Sequence, residues 1–252
     1  MKQEIPQGFH FRASDHSYFY DGKRMTGITT ILGVINKPAL VGWAARMAVE
    51  YLADHIGELI GADKETTERI LTDAKNAHTK KKEKAGEAGT DLHALAEGWI
   101  KMCIQETDGV PSLPCPAGLE KLRDWAQSEN VKFLESEKKM YSKTWWVAGT
   151  VDMIFEKEGK KYIGDIKTQA KIWDRTPFFQ MAGYANLYEE MMIEQAIPPT
   201  KGKMDYIDGY CILRVSKDGS FEAKWSFDVA GDTKAFFACV ELFRQLQTFK
   251  TN

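Results

Sequence analysis

Gly149-Thr150-Val151-Asp152-Met153-Ile154-Phe155 and Gly164-Asp165-Ile166-Lys167-Thr168 are the two stretches whose reading decides the fold. Each is a short apolar run carrying an acid, and a turn at Gly159 separates them. Two such runs around a glycine turn make an antiparallel hairpin. Side chains alternate across a strand, so Asp165 and Lys167 share one face while Ile166 points to the other. That places two hard oxygen donors for a divalent cation, and an ammonium beside them, at one spot. Such equipment suits attack on a phosphodiester. Taken singly, Asp152 reads as a strand-end aspartate capping a turn, and Lys167 as a simple counter-charge for Asp165.

The bulk properties exclude several classes. A chain of 252 residues can bury a full core, and 43% hydrophobic with 28% charged residues is ordinary for a globular protein. No apolar run approaches bilayer length, and Met1-Lys2-Gln3-Glu4-Ile5-Pro6 lacks the apolar core of a secretion signal. No membrane partner is expected. Cys103, Cys115, Cys211 and Cys239 are scattered without a C-x-x-C pair, which argues against structural zinc and disulfides and fits a reducing cytoplasm. A net charge of −2 argues against coating nucleic acid by charge alone. Positive charge is local instead: the run 80–84, then Lys138, Lys139 and Lys143, then Lys160, Lys161, Lys171 and Arg175.

Along the chain, Phe9, Phe11 and Tyr18-Phe19-Tyr20, a turn at Asp21-Gly22, and Ile28 to Ile31 read as short strands joined by a hairpin. Helical spacing runs from Ala39 to about Ile60, and a polar helix follows over 66–84. Gly86 and Gly89 interrupt it, and Thr90 N-caps a helix to about Ile104 on which His93 and Glu97 share a face. Gly109, Pro111, Pro114 and Pro116 mark a loop, and 117–129 is helical. Strands cover 131–141, 145–156 and 160–167, a helix 178–193, a hairpin 206–227 turning at Asp218-Gly219, and a last helix 233–249. The class is α/β or α+β, a mixed central sheet flanked by helices, with an N-terminal hairpin and helical extension over 1–85 and a core over 86–252.

These residues resemble the PD-(D/E)xK nuclease superfamily. Gly89-Thr90-Asp91-Leu92-His93-Ala94-Leu95-Ala96-Glu97 and Gln180-Met181-Ala182-Gly183-Tyr184 are similar to the G-T-x-x-H-x-x-x-E and Q-x-x-x-Y motifs of its RecB-like and phage-type exonuclease branch. The resemblance covers residues 86 to 190, with the motifs in the family's order. It implies a restriction-endonuclease-like fold and a metal-dependent DNA exonuclease serving phage-type recombination, replication or repair. His93, Asp152, Asp165 and the Ile166 carbonyl become expected metal ligands for Mg²⁺ or Mn²⁺. Lys167 becomes the residue that positions the attacking water. Glu137 takes the place of an acid that several members use for a second metal or its water; the bland alternative is an exposed strand residue among lysines. His93 is otherwise a packing histidine, and Glu97 either supports it or is a surface charge. Gln180 and Tyr184 are expected to contact DNA, and Thr168 and Gln169 follow Lys167 within reach of a phosphate. Trp145, Trp146 and Trp173 offer surfaces for unpaired bases. Some relatives carry an iron–sulfur cluster on four cysteines; without a closely spaced C-terminal group, none is expected here. Implied partners are single- or double-stranded DNA ends and a single-strand annealing protein, in a host cytoplasm if the chain is phage-encoded. Two alternatives stand beside this: a structure-selective DNA endonuclease of the same fold, and a non-catalytic nucleic-acid-binding module.

Overall fold

A computed structural model describes residues 7–105, 115, 118–169, 171–195, 206–216 and 219–248, without the side chains of 38, 39, 84–91 and 195. The expected stops at Pro198-Pro199, most of the proline loop and the end of the last helix lie outside the described residues. Two compact units divide the chain: Met1–Ile35 with Leu92–Asn252, and Asn36–Asp91. The boundary drawn at residue 85 is thus replaced by two, and the N-terminal strands belong with the sheet.

The first unit is built on a mixed sheet of eight strands. β1 (Phe9–Arg12), β2 (Ser17–Tyr20) and β3 (Lys23–Gly27) form an antiparallel meander. β4 (Lys132–Ser142), β5 (Val147–Lys157) and β6 (Lys160–Lys167) form a second. β7 (Gly209–Val215) lies parallel to β6, and β8 (Phe221–Ser226) is antiparallel to β7. Both tight hairpins use two residues at positive φ, Asp21-Gly22 between β2 and β3 and Glu158-Gly159 between β5 and β6. That twist matches the twist of the strands it joins.

Among the described residues, seven α-helices are numbered in chain order: α1 (Ile28–Ile31), α2 (Pro38–Asp54), α3 (Ile56–Leu59), α4 (Lys64–Gln105), α5 (Glu120–Ser128), α6 (Thr176–Gln195) and α7 (Val229–Thr248). α1, α6 and α7 cover one face of the sheet, where Ile28, Ile31, Met181, Tyr184, Leu187 and Phe236 pack on Val151, Ile154, Ile163 and Ile212. The C-terminal part of α4 and α5 cover the other, where Leu92, Ala96, Trp99, Leu122 and Ala126 pack on Phe133, Phe155, Ile166 and Leu213. None of the described helices is long and apolar enough to cross a membrane.

Two local expectations are corrected. Ile28 to Ile31 forms a helical turn rather than a strand, because Ile28 and Ile31, three apart, both bury against α6 and the sheet. α4 runs unbroken through Gly86 and Gly89, so Thr90 is interior and not an N-cap. Each helical glycine costs about 1 kcal/mol relative to alanine, and a helix of 42 residues absorbs that.

Candidate metal centre

The sheet opens beside β5. One edge of β5 is paired with β4 at every position from Val147 to Glu156 except Asp152. The other is shared: β6 pairs along Met153–Lys157, and β3 pairs in parallel at Val147 and Ala148. Residues 149–152 lie between the two ladders. Asp152 sits where β6 peels away, and its Oδ2 accepts the Ile166 amide at 2.8 Å, a bond that in a continuing ladder would go to backbone. Asp152 therefore stitches the fork with its side chain.

Three donors converge there. His93 Nε2, from α4, lies 3.6 Å from Glu137 Oε1 on β4 and 3.6 Å from Asp152 Oδ2. One ligand atom from each of the three lies within 4.8 Å of the others. Donors around a single ion at ~2.1 Å stand roughly 3–4 Å apart, so the spacing suits a shared cation better than direct hydrogen bonds. Glu137 holds φ at 52°, a left-handed backbone that a non-glycine strand residue adopts at a cost of about 1–3 kcal/mol. Its side chain is half-buried.

Asp165 and Lys167 stand next to this group. Asp165 is 2% exposed, and the Lys167 ammonium contacts both its oxygens, Oδ1 at 2.9 Å and Oδ2 at 2.7 Å. Ile166 packs into the opposite core, as alternation requires. Burial, reinforced by the Asp165 charge, pushes the Asp152 carboxyl up to about 7. Contact with Glu137, then the Asp152 charge, pushes the His93 imidazole up to about 9 against its burial. Burial works against the Lys167 ammonium, but Asp165 outweighs it and holds the pKa above the ordinary lysine value. Three carboxyls, an imidazole and an ammonium share the centre, and each shifted group leans toward its protonated form.

The remaining expected residues distribute as follows. Gln180 Nε2 donates to the Tyr184 hydroxyl at 2.9 Å, and burial pushes the Tyr184 phenol well above its ordinary value. Thr168 is half-buried and Gln169 exposed, both in irregular chain just past β6. Glu97 pairs with Lys101 on the α4 surface rather than with His93. Trp145 packs on Phe237 and Arg244, the Trp146 indole donates to the Arg24 carbonyl, and Trp173 is exposed. Lys138 and Lys143 are paired with Glu135 and Glu194, and Lys139 lies over the Phe11 ring.

A cavity of about 710 Å³ adjoins the centre, with Glu137 common to both. Arg24, Thr26, Lys139, Thr150 and Tyr184 line it, and the Tyr18 hydroxyl meets Thr150 Oγ1 at 3.0 Å in its wall. Sequence reasoning missed Tyr18, Thr26 and Thr150. The pairing of β3 with β5 that brings them to the site joins positions far apart in the chain.

No family model matches the chain, and no curated protein does. Among solved structures, a chain described as "Crystal structure of SSO0001" is similar over 79% of this chain and 71% of that one, at 13% sequence identity and a TM-score of 0.28. Neither fold nor function transfers at that similarity.

Proposed function

We propose that the chain is a Mg²⁺- or Mn²⁺-dependent deoxyribonuclease that degrades DNA from its ends, on a restriction-endonuclease-like core. The observation that carries this reading is the convergence of His93, Glu137 and Asp152 beside the Asp165–Lys167 pair. The order helix, three-stranded meander, crossover helix, parallel strand, given by α4, β4–β6, α6 and β7, suits such a core.

The residues fit a divalent cation. One imidazole and two carboxylates are a hard-to-borderline donor set, suited to Mn²⁺ and, through the oxygens, to Mg²⁺. The raised Asp152 carboxyl marks a place where added positive charge is stabilising. His93, Glu137 and Asp152 would hold the ion, with Asp165 and the Ile166 carbonyl as the further ligands that the resemblance adds. Bound there, it supplies Lewis acidity and a more acidic water.

The chain's own groups do the rest. Lys167, kept charged by Asp165, orients the attacking water and offsets charge gathering on the phosphate. Tyr184 accepts from Gln180, which leaves its own proton for a phosphate oxygen. The cavity beyond Glu137 takes in a segment of one strand, with Arg24 and Lys139 as counter-charges. Work in a cytoplasm, beside a single-strand annealing protein, belongs to the same reading.

The test compares wild type with Asp165→Ala and Lys167→Ala on linear and covalently closed circular DNA, in Mn²⁺ and in EDTA. Metal-dependent loss of linear DNA by wild type alone is the expected result. Equal digestion by all three, or digestion in EDTA, ends the nuclease reading. Cutting of closed circles replaces the exonuclease with an endonuclease, and binding without cleavage leaves a non-catalytic module.

A further inference from the structure

The sheet ends at β8, and no strand pairs with its outer edge among the described residues. Natural edges are commonly blunted by proline, a bulge, shortness or charged side chains, lysine above all, and β8 carries one charge of each sign. β8 has no proline and pairs with β7 in unbroken register over all six of its residues. Its sequence is Phe221-Glu222-Ala223-Lys224-Trp225-Ser226. Phe221, Ala223 and Trp225 lie on the α5 side, packed at the rim of that core. Glu222 and Lys224 project from the other face, where Glu222 meets Arg214 at 3.3 Å and Lys224 at 3.4 Å.

Two large aromatics near the strand are exposed. Phe227, just past the strand, stacks on Trp225 with centroids 6.0 Å apart, reaches back toward Tyr162 of β6, and is 67% exposed. Trp173 is 75% exposed and follows Ile172, whose carbonyl accepts from the Lys224 ammonium. The unpaired backbone edge itself is what invites a further strand.

We propose that this surface binds a second copy of the chain, β8 pairing antiparallel with β8 across a two-fold axis at Ala223. The charges select that occupant and that register. A dyad at Ala223 sets Glu222 opposite the second copy's Lys224 and Phe221 opposite its Trp225, each pair on one common face. Opposite charges and aromatic pairs directly across strands are favourable. A dyad at Glu222 or Lys224 opposes like charges. A dyad between residues pairs side chains from the wrong faces. Of the registers that β8 can adopt with itself, one is charge-matched and face-matched, and the interface is isologous as a two-fold requires.

The mass in solution, by sedimentation equilibrium at micromolar concentration, tests this. Wild type is expected at twice the chain mass. Glu222→Lys and Lys224→Glu, each placing like charges across the dyad, are expected at the single-chain mass. Mixing the two variants restores complementarity in both pairs, so the mixture returns to the doubled mass. Ala223→Cys, which leaves the charges in place, brings its thiols within disulfide reach across the axis and forms a covalent dimer on oxidation that wild type does not. Wild type at single-chain mass, single variants that stay doubled, a mixture that stays single, or an uncrosslinked Ala223→Cys each overturns the proposal. None of these readouts depends on nuclease activity.

Discussion

Gly149→Ala tests the packing that walls the candidate site. A Cβ at Gly149 falls 2.5 Å from Tyr184 Cε1 and 3.2 Å from Cδ1, with Ile28 Cδ1 at 3.4 Å. Carbon atoms rest at about 3.5–4.0 Å, so the ring must retreat by roughly 1 Å. Overpacking of this kind costs about 1–3 kcal/mol. The retreat also pulls the Tyr184 hydroxyl from Gln180, now 2.9 Å away, and losing that bond adds about 1 kcal/mol. The sum is about 2–4 kcal/mol, or a fall in Tm of roughly 4–16 °C at ~2–4 °C per kcal/mol. Urea unfolding of the variant, alone and in a Tyr184→Ala background, separates the clash from other effects. With the ring gone, the added methyl is expected to cost under about 0.5 kcal/mol. Equal costs in the two backgrounds refute the contact. If the nuclease reading holds, the same displacement lowers activity by about 10²-fold.

Two more outcomes follow from the electrostatics. Lys167→Met strips Asp165 of the ammonium touching both its oxygens, and in EDTA it lowers stability by about 3–5 kcal/mol; Mn²⁺ is expected to return part of this, and a loss below 1 kcal/mol in urea unfolding counts against the pair. For pH, the folded protein holds Asp152 at about 7 against an ordinary 3.8, and His93 at about 9 against 6.5. Both folded values are raised, so this stability is complete below the ordinary values and is lost as pH climbs through the folded ones. The metal-free Tm therefore falls between about pH 4 and 9, and the stabilisation by Mn²⁺ grows over the same range as its ligands shed protons. Thermal melts in EDTA that rise with pH across this window contradict the assignment.

Much of the meander β4–β6 was legible because its alternation and its Glu158-Gly159 turn are local signals. The shared face of Asp165 and Lys167 followed from strand geometry alone. What escaped the sequence was set by distant neighbours. Ile28 to Ile31 is β-branched enough to suggest a strand, and burial of its first and last residues made it a helical turn. Gly86 and Gly89 carry a breaker's propensity that the long helix around them overrides. Glu137 reads as an exposed charge on its strand, and nothing in the local pattern announces a left-handed residue turned toward His93. The contribution of β3 to the cavity depends on Thr26 finding Val147, a pairing with no local signature.

The fork beside β5 bears on how position 152 can be interrogated. The carboxylate there stands in for a missing rung of the ladder, since the Ile166 amide has turned to it. Truncating it to alanine strands a backbone donor in a part-buried seam, with a penalty of about 1–3 kcal/mol, at the same stroke as it removes a candidate ligand. Inactivity of such a variant confounds architecture with chemistry. Asparagine keeps a carbonyl acceptor for the amide while discarding the charge, and is the substitution that isolates the second loss from the first.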